Sequence, residues 1–178
     1  NYDDSKVIGV RDIIQYSKST GKNISLVKKS SSESIVTNGK YLYYSKFEGD
    51  KGVIYKMDLE TKKTSKVVSA KNYVLLGGTD KYLYIGKADF DTPAPMYKMQ
   101  VYNMSTKQIK KSGIDYFVGE IQVENKKILA CQLHFDADNY RFDVMNESGK
   151  SIFKDKAVYA FIVKGKVFYN QIFYNQII

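Results

Sequence analysis

The chain has 178 residues, of which 43% are hydrophobic and 14% aromatic, so it has enough apolar surface to form a substantial core. This composition, with only two prolines, excludes a disordered chain. The single cysteine, Cys131, excludes an intrachain disulfide framework and any zinc site with several cysteines. No apolar run reaches the ~20 residues needed to cross a bilayer, so we expect no transmembrane segment.

The net charge is +9, which raises the question of an anionic partner. Only Arg11 and Arg141 are arginines, and the other basic residues are lysines. The planar guanidinium that reads base edges is therefore scarce, and we expect no sequence-specific nucleic-acid binding. The dispersed lysines favour a solvated surface that protects strand edges. Non-specific nucleic-acid binding through a lysine face is a weaker alternative.

Two motifs recur along the chain with similar spacing, which predicts a repeat architecture. The first is a polar turn, a lysine and a hydrophobic strand, and its equivalent residues Tyr41, Tyr82, Ile128 and Val167 are 41, 46 and 39 residues apart. The second motif is a Ser/Thr-rich turn, and it occurs as YSKSTGK at 16–22, MDLETKK at 57–63, YNMSTKQ at 102–108 and MNESGK at 145–150. Its markers Thr20, Thr61, Thr106 and Ser148 are 41, 45 and 42 residues apart.

Short runs rich in Val, Ile, Tyr and Phe, separated by turn residues, predict β-strands throughout, and no segment has the periodicity of a helix. In chain order we expect strands near 11–16, 24–28, 34–37, 41–47, 53–58, 64–68, 73–76, 82–88, 96–103, 108–111, 117–123, 128–135, 140–146, 151–153 and 158–163, and from 167 onward.

Four antiparallel strands per ~42-residue repeat predict an all-β fold, a β-propeller of about four blades or a fragment of a larger propeller. We expect one domain over 1–178, built from a half blade at 10–29, blades at 33–69, 72–112 and 116–155, and a half blade at 157–172. The two half blades could complete one blade between them, or they could mediate self-association. The sequence FYNQI also occurs twice in succession from Phe168.

The strands KYLYYS and KYLYIG, followed by IYKMDLETKKTSKV and MYKMQVYNMSTKQIKK, resemble TolB-like bacterial propeller repeats. The likeness covers about 11–170 and is greatest to secreted or lipoprotein propellers of low-GC Gram-positive bacteria. It implies an extracellular or cell-surface binding module of the envelope and supplies no catalytic residue. The third repeat departs from the aromatic pattern at Ile128, Leu129 and Ala130.

Acidic pairs follow the second strand of each complete repeat, where all three loops would emerge at one end of a propeller. These candidate ligand-binding residues are Glu48 and Asp50, Asp89 and Asp91, and Asp136 and Asp138. His134 alternates with Asp136 and Asp138, so these three side chains could share a strand face and hold a metal ion. Carboxylate oxygens suit Ca²⁺, the one cofactor we consider, or a cationic peptide.

The only candidate thiol–imidazole pair is Cys131 with His134, and an odd separation places the two on opposite faces of a strand. We therefore expect Cys131 to be a small core residue. Lysines flank the turns at the opposite end of each repeat, where they could meet an anionic surface. They are Lys40, Lys62, Lys63, Lys81, Lys107, Lys126, Lys127, Lys150, Lys164 and Lys166.

The sequence thus favours a non-enzymatic module that binds a protein or an anionic cell-wall polymer through its loop faces. The alternative is a carbohydrate- or peptide-processing propeller in which Asp89, Asp91, Asp136 or Asp138 supply the acid and the base. That chemistry requires two carboxyl groups ~5 to 9.5 Å apart.

Overall fold

The structure is a computed structural model, and it describes residues 11–32, 34–89, 96–114, 120–131 and 141–171. All the regular elements in these ranges are strands, in agreement with the predicted all-β class. No helix in the described ranges is long and apolar enough to cross a membrane.

Sixteen strands follow one another in the described residues. They are β1 (Arg11–Ser17), β2 (Lys22–Ser30), β3 (Val36–Thr37), β4 (Tyr41–Glu48), β5 (Lys51–Asp58), β6 (Thr64–Lys71), β7 (Tyr73–Gly78), β8 (Tyr82–Asp89), β9 (Met96–Asn103), β10 (Gln108–Lys111), β11 (Glu120–Glu124), β12 (Lys127–Cys131), β13 (Phe142–Asn146), β14 (Ser151–Asp155), β15 (Ala157–Val163) and β16 (Lys166–Gln171).

The strands form antiparallel sheets of consecutive elements. Three sheets have four strands, β3–β6, β7–β10 and β11–β14, and two sheets have two strands, β1–β2 and β15–β16. The predicted four-stranded repeat is therefore confirmed. We call each four-stranded sheet a blade and its strands a, b, c and d in chain order.

Burial differs systematically between the strands of a blade. The b strands β4 and β8 carry runs of four buried residues, because both faces of a central strand are covered. The d strand β10 is exposed at all four of its residues, and β14 at most of its own. The d strands β6 and β14 extend two or three residues beyond the predicted ends, since their backbone pairing continues through polar residues.

The described residues divide into two compact units, one up to Leu76 and the other from Gly77 onward. The prediction of a single propeller domain is not tested by this division and stays a prediction. A core cluster in the first unit joins the β1–β2 sheet to the first blade through Ile13, Val27, Leu42, Tyr44 and Met57.

The second unit has a corresponding cluster between the third blade and the β15–β16 sheet. Its buried members are Leu129, Phe142, Val144, Ala157 and Ile162. In both units a two-stranded sheet therefore buries one of its faces against a complete blade. This contact fixes the turns of the blade and those of the smaller sheet in relation to each other.

Candidate functional site

The a–b turn and the c–d turn of a blade lie together at one end of the sheet. In the first blade the Lys40 carbonyl accepts a hydrogen bond from the Leu59 amide at 2.9 Å. In the second blade the Lys81 carbonyl accepts one from the Met104 amide at 3.0 Å. We call this end of a blade its turn end. The b–c turn lies at the opposite end of the antiparallel sheet.

A side chain at the end of each c strand organises the c–d turn that follows. The Asp58 carboxylate accepts the Glu60 and Thr61 amides at 3.0 and 2.8 Å. The Asn103 side chain accepts the Ser105 and Thr106 amides at 2.9 and 3.0 Å. The bonds from the Thr61 and Glu60 amides lower the pKa of Asp58, because the charged carboxylate accepts them, and the bond from Thr61 has the larger effect. Asn146 accepts the Ser148 amide at 3.1 Å in the same way.

One position in these turns has a positive φ angle, which L-amino acids with a side chain seldom adopt. Lysine occupies it in the first two blades, with φ of 58° at both Lys62 and Lys107. Glycine occupies it in the β1–β2 turn and in the third blade, with φ of 66° at Gly21 and 82° at Gly149. The repeated turn therefore has one backbone shape and two kinds of residue.

The a–b turn of the third blade and the β15–β16 turn are two-residue hairpin loops. Their central residues all have positive φ, namely 47° and 62° at Asn125 and Lys126, and 49° and 70° at Lys164 and Gly165. This is the type I′ geometry, whose twist matches that of the flanking strands. In each loop a lysine takes a position that glycine occupies at lower cost.

Hydrogen bonds join the c–d turn of the third blade to the second blade within the second unit. The Tyr84 hydroxyl donates to the Glu147 carbonyl at 3.1 Å, and the Gly113 amide donates to the Gly149 carbonyl at 2.6 Å. Burial raises the pKa of the Tyr84 hydroxyl, and the nearby Glu147 carboxylate raises it further. Tyr84 is therefore a neutral hydrogen-bond donor at physiological pH.

Similar bonds join the third blade to the β15–β16 turn. Lys127 Nζ donates to the Gly165 carbonyl at 2.9 Å, and the Gly165 amide donates to Glu124 Oε2 at 3.1 Å. Together we call the turn ends of the three sheets of the second unit the basic turn surface. Its lysines are all exposed, and they are Lys81, Lys107, Lys126, Lys127, Lys150, Lys164 and Lys166.

Three acidic residues accompany these lysines. Glu124 accepts the Gly165 amide, and Oε1 of Glu147 is buried without a hydrogen-bond partner among the described residues. Asp80 is exposed. Seven lysines therefore face three carboxylates, of which two are turned toward the protein.

The predicted acidic pair of the first blade lies at the opposite end, in the b–c turn. Glu48 forms a salt bridge with Lys66 at 2.7 Å and also accepts the Tyr55 hydroxyl. The bond from Lys66, followed by that from Tyr55, lowers the pKa of Glu48, whereas the Glu48 contact raises the pKa of Tyr55 to about 12. Asp50 is exposed, and its carbonyl accepts the Asn72 amide at 3.2 Å.

The other predicted ligand residues lie in the second unit or outside the described residues. Asp89 is half-buried at the end of β8 in the second unit, opposite Met96. Asp91, His134, Asp136 and Asp138 lie outside the described residues. Among the predicted ligand residues that the structure describes, Glu48 and Asp50 share one turn and Asp89 lies in the other unit. The His134–Asp136–Asp138 site stays a prediction.

Within the described ranges, no group of three or more His, Cys, Asp or Glu residues is placed to hold a metal ion. Cys131 is half-buried at the end of β12, with Sγ 3.8 Å from the Ala160 carbonyl, and it packs against the core cluster of the second unit. The proposed Ca²⁺ site stays a prediction.

Sequence reasoning located the lysines at the turn ends but missed the conformations that hold them. The signal was present in the aligned motifs, because Lys62 and Lys107 fall where YSKSTGK has Gly21 and MNESGK has Gly149. A position that alternates between glycine and a polar residue indicates a positive φ angle. The link from Tyr84 to the next blade had no such signal.

The comparisons with known proteins agree with this architecture. No protein-family model matches the chain, and no curated protein matches it in sequence. Among solved structures, the β-propeller domain of the Trilobed protease from Pyrococcus furiosus, described as having an open velcro topology, is similar, with 16% identity and a TM-score of 0.56. The match covers 90% of this chain and 56% of that one. The chain therefore has a β-propeller fold.

Two further solved structures are similar to the chain. TolB from Acinetobacter baumannii is 13% identical with a TM-score of 0.56, over 83% of this chain and 38% of that one. An acylaminoacyl peptidase from Pyrococcus horikoshii is 17% identical with a TM-score of 0.58, over 86% and 30% of the two chains. The fold is thus a TolB-like propeller, and the chain spans 30% to 56% of the length of these three structures.

Proposed function

We propose that the chain is a non-enzymatic binding module of the cell envelope, extracellular or at the cell surface, that presents the turn ends of its blades to a partner. The partner is a protein or an anionic cell-wall polymer. The propeller fold supports this proposal, because such folds display many loops at the two ends of stacked sheets. The resemblance to envelope propellers in the KYLYYS and KYLYIG strands supports the location.

The basic turn surface is the observation that carries the proposal. Its turns are fixed by Asx-type bonds within each blade and by hydrogen bonds between neighbouring sheets. Binding to a surface ordered in advance costs less conformational entropy than binding to free loops. The lysine ammonium groups project from this fixed frame on flexible stems, which suits adaptable binding of charged partners.

The processing alternative assigns the acid and the base to Asp89, Asp91, Asp136 or Asp138, of which Asp89 lies within the described residues. Glu48, in the equivalent turn of the first blade, does not suit that chemistry. Glu48 already accepts bonds from Lys66 and Tyr55, and the contact with Lys66 lowers its pKa and keeps it ionised. A general acid requires the opposite, a raised pKa. Glu48 therefore acts as a structural anchor of the b–c turn.

The proposal is tested with isolated cell walls of a Gram-positive bacterium as the probe. The chain is mixed with the walls, the bound fraction is measured by sedimentation, and the soluble products are analysed for released sugars and peptides. We expect saturable binding without release of products. Released fragments would favour the processing alternative, and an absence of binding would contradict a wall-directed module.

A further inference from the structure

The basic turn surface indicates a narrower class of ligand than an anionic partner in general. Resting on the proposed function, we infer that it binds a flexible polymer that carries phosphate groups at regular intervals.

Three lysines of this surface occupy left-handed backbone positions. They are Lys107, Lys126 and Lys164, with φ of 58°, 62° and 49°. A residue with a Cβ atom costs about 1–2 kcal/mol more than glycine in this conformation. Costs of this kind accumulate at binding and switch regions. The equivalent Gly149 shows that the turn accepts glycine, so the lysines supply charge that the turn itself does not require.

The charge is arranged for a multivalent ligand. Neighbouring sheets pack about 10 Å apart, so the lysines of three sheets form an extended row rather than a pocket. At 0.1 M salt the screening length is also about 10 Å, so each lysine acts mainly on the anionic group nearest to it. A chain with one charge per repeat can contact several of these positions at once and gains avidity from each.

The residues around the lysines distinguish a phosphate polymer from a nucleic acid. Single-stranded nucleic acids are held by bases stacked on aromatic side chains as well as by charge. The described turns themselves, at 79–82, 103–108, 124–127, 146–150 and 163–166, contain no exposed aromatic residue. Tyr82 is half-buried among them. The exposed Phe161 and Phe168 rings lie two residues from the last turn, and they stack on each other with centroids 5.5 Å apart. A phosphate backbone without bases fits this surface better.

The same residues disfavour a membrane as the partner. Proteins that lie on a bilayer combine basic residues with large apolar side chains that enter the acyl boundary. Within the described turns of this surface the exposed apolar side chain is Val163, and the exposed Phe161 and Phe168 rings lie further along β15 and β16, where they stack on each other. Lysine also binds phosphate as a point charge, without the fixed geometry of a bidentate contact. This suits a mobile polymer.

The test uses long-chain inorganic polyphosphate as the probe and measures its dissociation constant by calorimetry at several salt concentrations. The variant is K107G/K126G/K164G in the full chain. Because glycine relieves the left-handed strain, this variant should be at least as stable as the unmodified protein. We expect its affinity to fall roughly 100-fold at low salt, since each lysine near an anionic surface contributes a roughly fivefold gain.

Two matched controls accompany it. The variant K107R/K126R/K164R keeps both the charge and the backbone strain, and it should retain the affinity. The variant K87Q/K111Q/K154Q removes three exposed lysines from strands β8, β10 and β14, and it should bind polyphosphate within about threefold of the unmodified protein. An equal loss in this second control would overturn the inference, because charge alone would then explain the binding.

Other outcomes also decide the question. Orthophosphate at the same total phosphate concentration should bind much more weakly than the polymer, and equal binding would contradict a multivalent surface. Tighter binding to single-stranded DNA than to polyphosphate would overturn the inference and indicate a nucleic acid as the ligand. Tighter binding to phosphatidylglycerol vesicles would likewise indicate a membrane. Binding to cell walls without binding to polyphosphate would overturn this inference and leave the proposed function intact.

Discussion

The c–d turns of the second and third blades share one backbone shape but are built from different residues. Lys107 and Gly149 both have positive φ, at 58° and 82°. A Cβ atom on Gly149 would lie 2.4 Å from Cγ2 of Val101, so the neighbouring blade leaves no room for a side chain. Lys107 instead projects into solvent. Glycine is therefore required where the turn is packed, and lysine is accepted where the turn is open.

The largest expected effect comes from exchanging the packed residue. Gly149→Lys should destabilise the protein by roughly 3 kcal/mol, because the left-handed backbone cost adds to overpacking against Val101. Unfolding in urea measures this effect. Gly21→Lys is the matched control, since the space around Gly21 is open and only the backbone cost applies. If the two variants lose the same stability, crowding is not what distinguishes the two turns.

The contrast between these turns also shows how far the sequence could be interpreted in advance. The strands, their grouping by four and the placement of lysines at one end followed from alternating hydrophobic runs and a regular period. These signals are local, and each repeat reinforces the others. The sequence motif of the c–d turn was visible, but its φ angle was not recognised from Lys62 and Lys107.

Contacts between blades could not be predicted, because they depend on how one sheet packs on the next. The Tyr84 hydroxyl meets the carbonyl of Glu147, 63 residues further along the chain, and no spacing rule indicates this. The contacts of Glu48 could not be predicted from the sequence either. Its salt bridge with Lys66 depends on the register of β5 with β6, which shifts between Ile54 and Tyr55.

The link from Tyr84 offers the second prediction, because it is the side-chain hydrogen bond, beside the backbone bond from Gly113, that joins the packed turn to the second blade. Tyr84→Phe should lower the free energy of unfolding by about 1 kcal/mol, the usual net contribution of a hydrogen bond, while the buried ring keeps its packing. Thermal unfolding measures the change. Tyr82→Phe, in the same strand, is the control and should have a smaller effect. A Tyr84→Phe protein of unchanged stability would show that the bond to Glu147 does not hold the turn.

The open c–d turn of the second blade provides the third prediction, in which the substitution raises the stability of the protein. Lys107→Gly should stabilise the protein by about 0.5–1 kcal/mol, because relief of the left-handed strain exceeds the greater entropy of glycine in the unfolded chain. The midpoint of urea unfolding measures it. Lys110→Gly, in strand β10, should destabilise instead, since glycine weakens a strand. A loss of stability in Lys107→Gly would mean that the lysine side chain makes a stabilising contact in the turn.

The b–c turn of the first blade extends the comparison to the opposite end of a sheet, where the expected effect is smallest. The lowered pKa of Glu48 means that its contacts add stability above the usual pKa of a glutamate and lose it as the pH falls through the lowered value. Lys66→Gln should move the pKa of Glu48 upward toward its usual value, as followed by the NMR shift of the side-chain carboxyl. Lys46→Gln is the control, because Lys46 acts on Glu48 only through a weak charge interaction. Equal shifts in both variants would show that the general positive field, rather than the bond to Lys66, keeps Glu48 ionised.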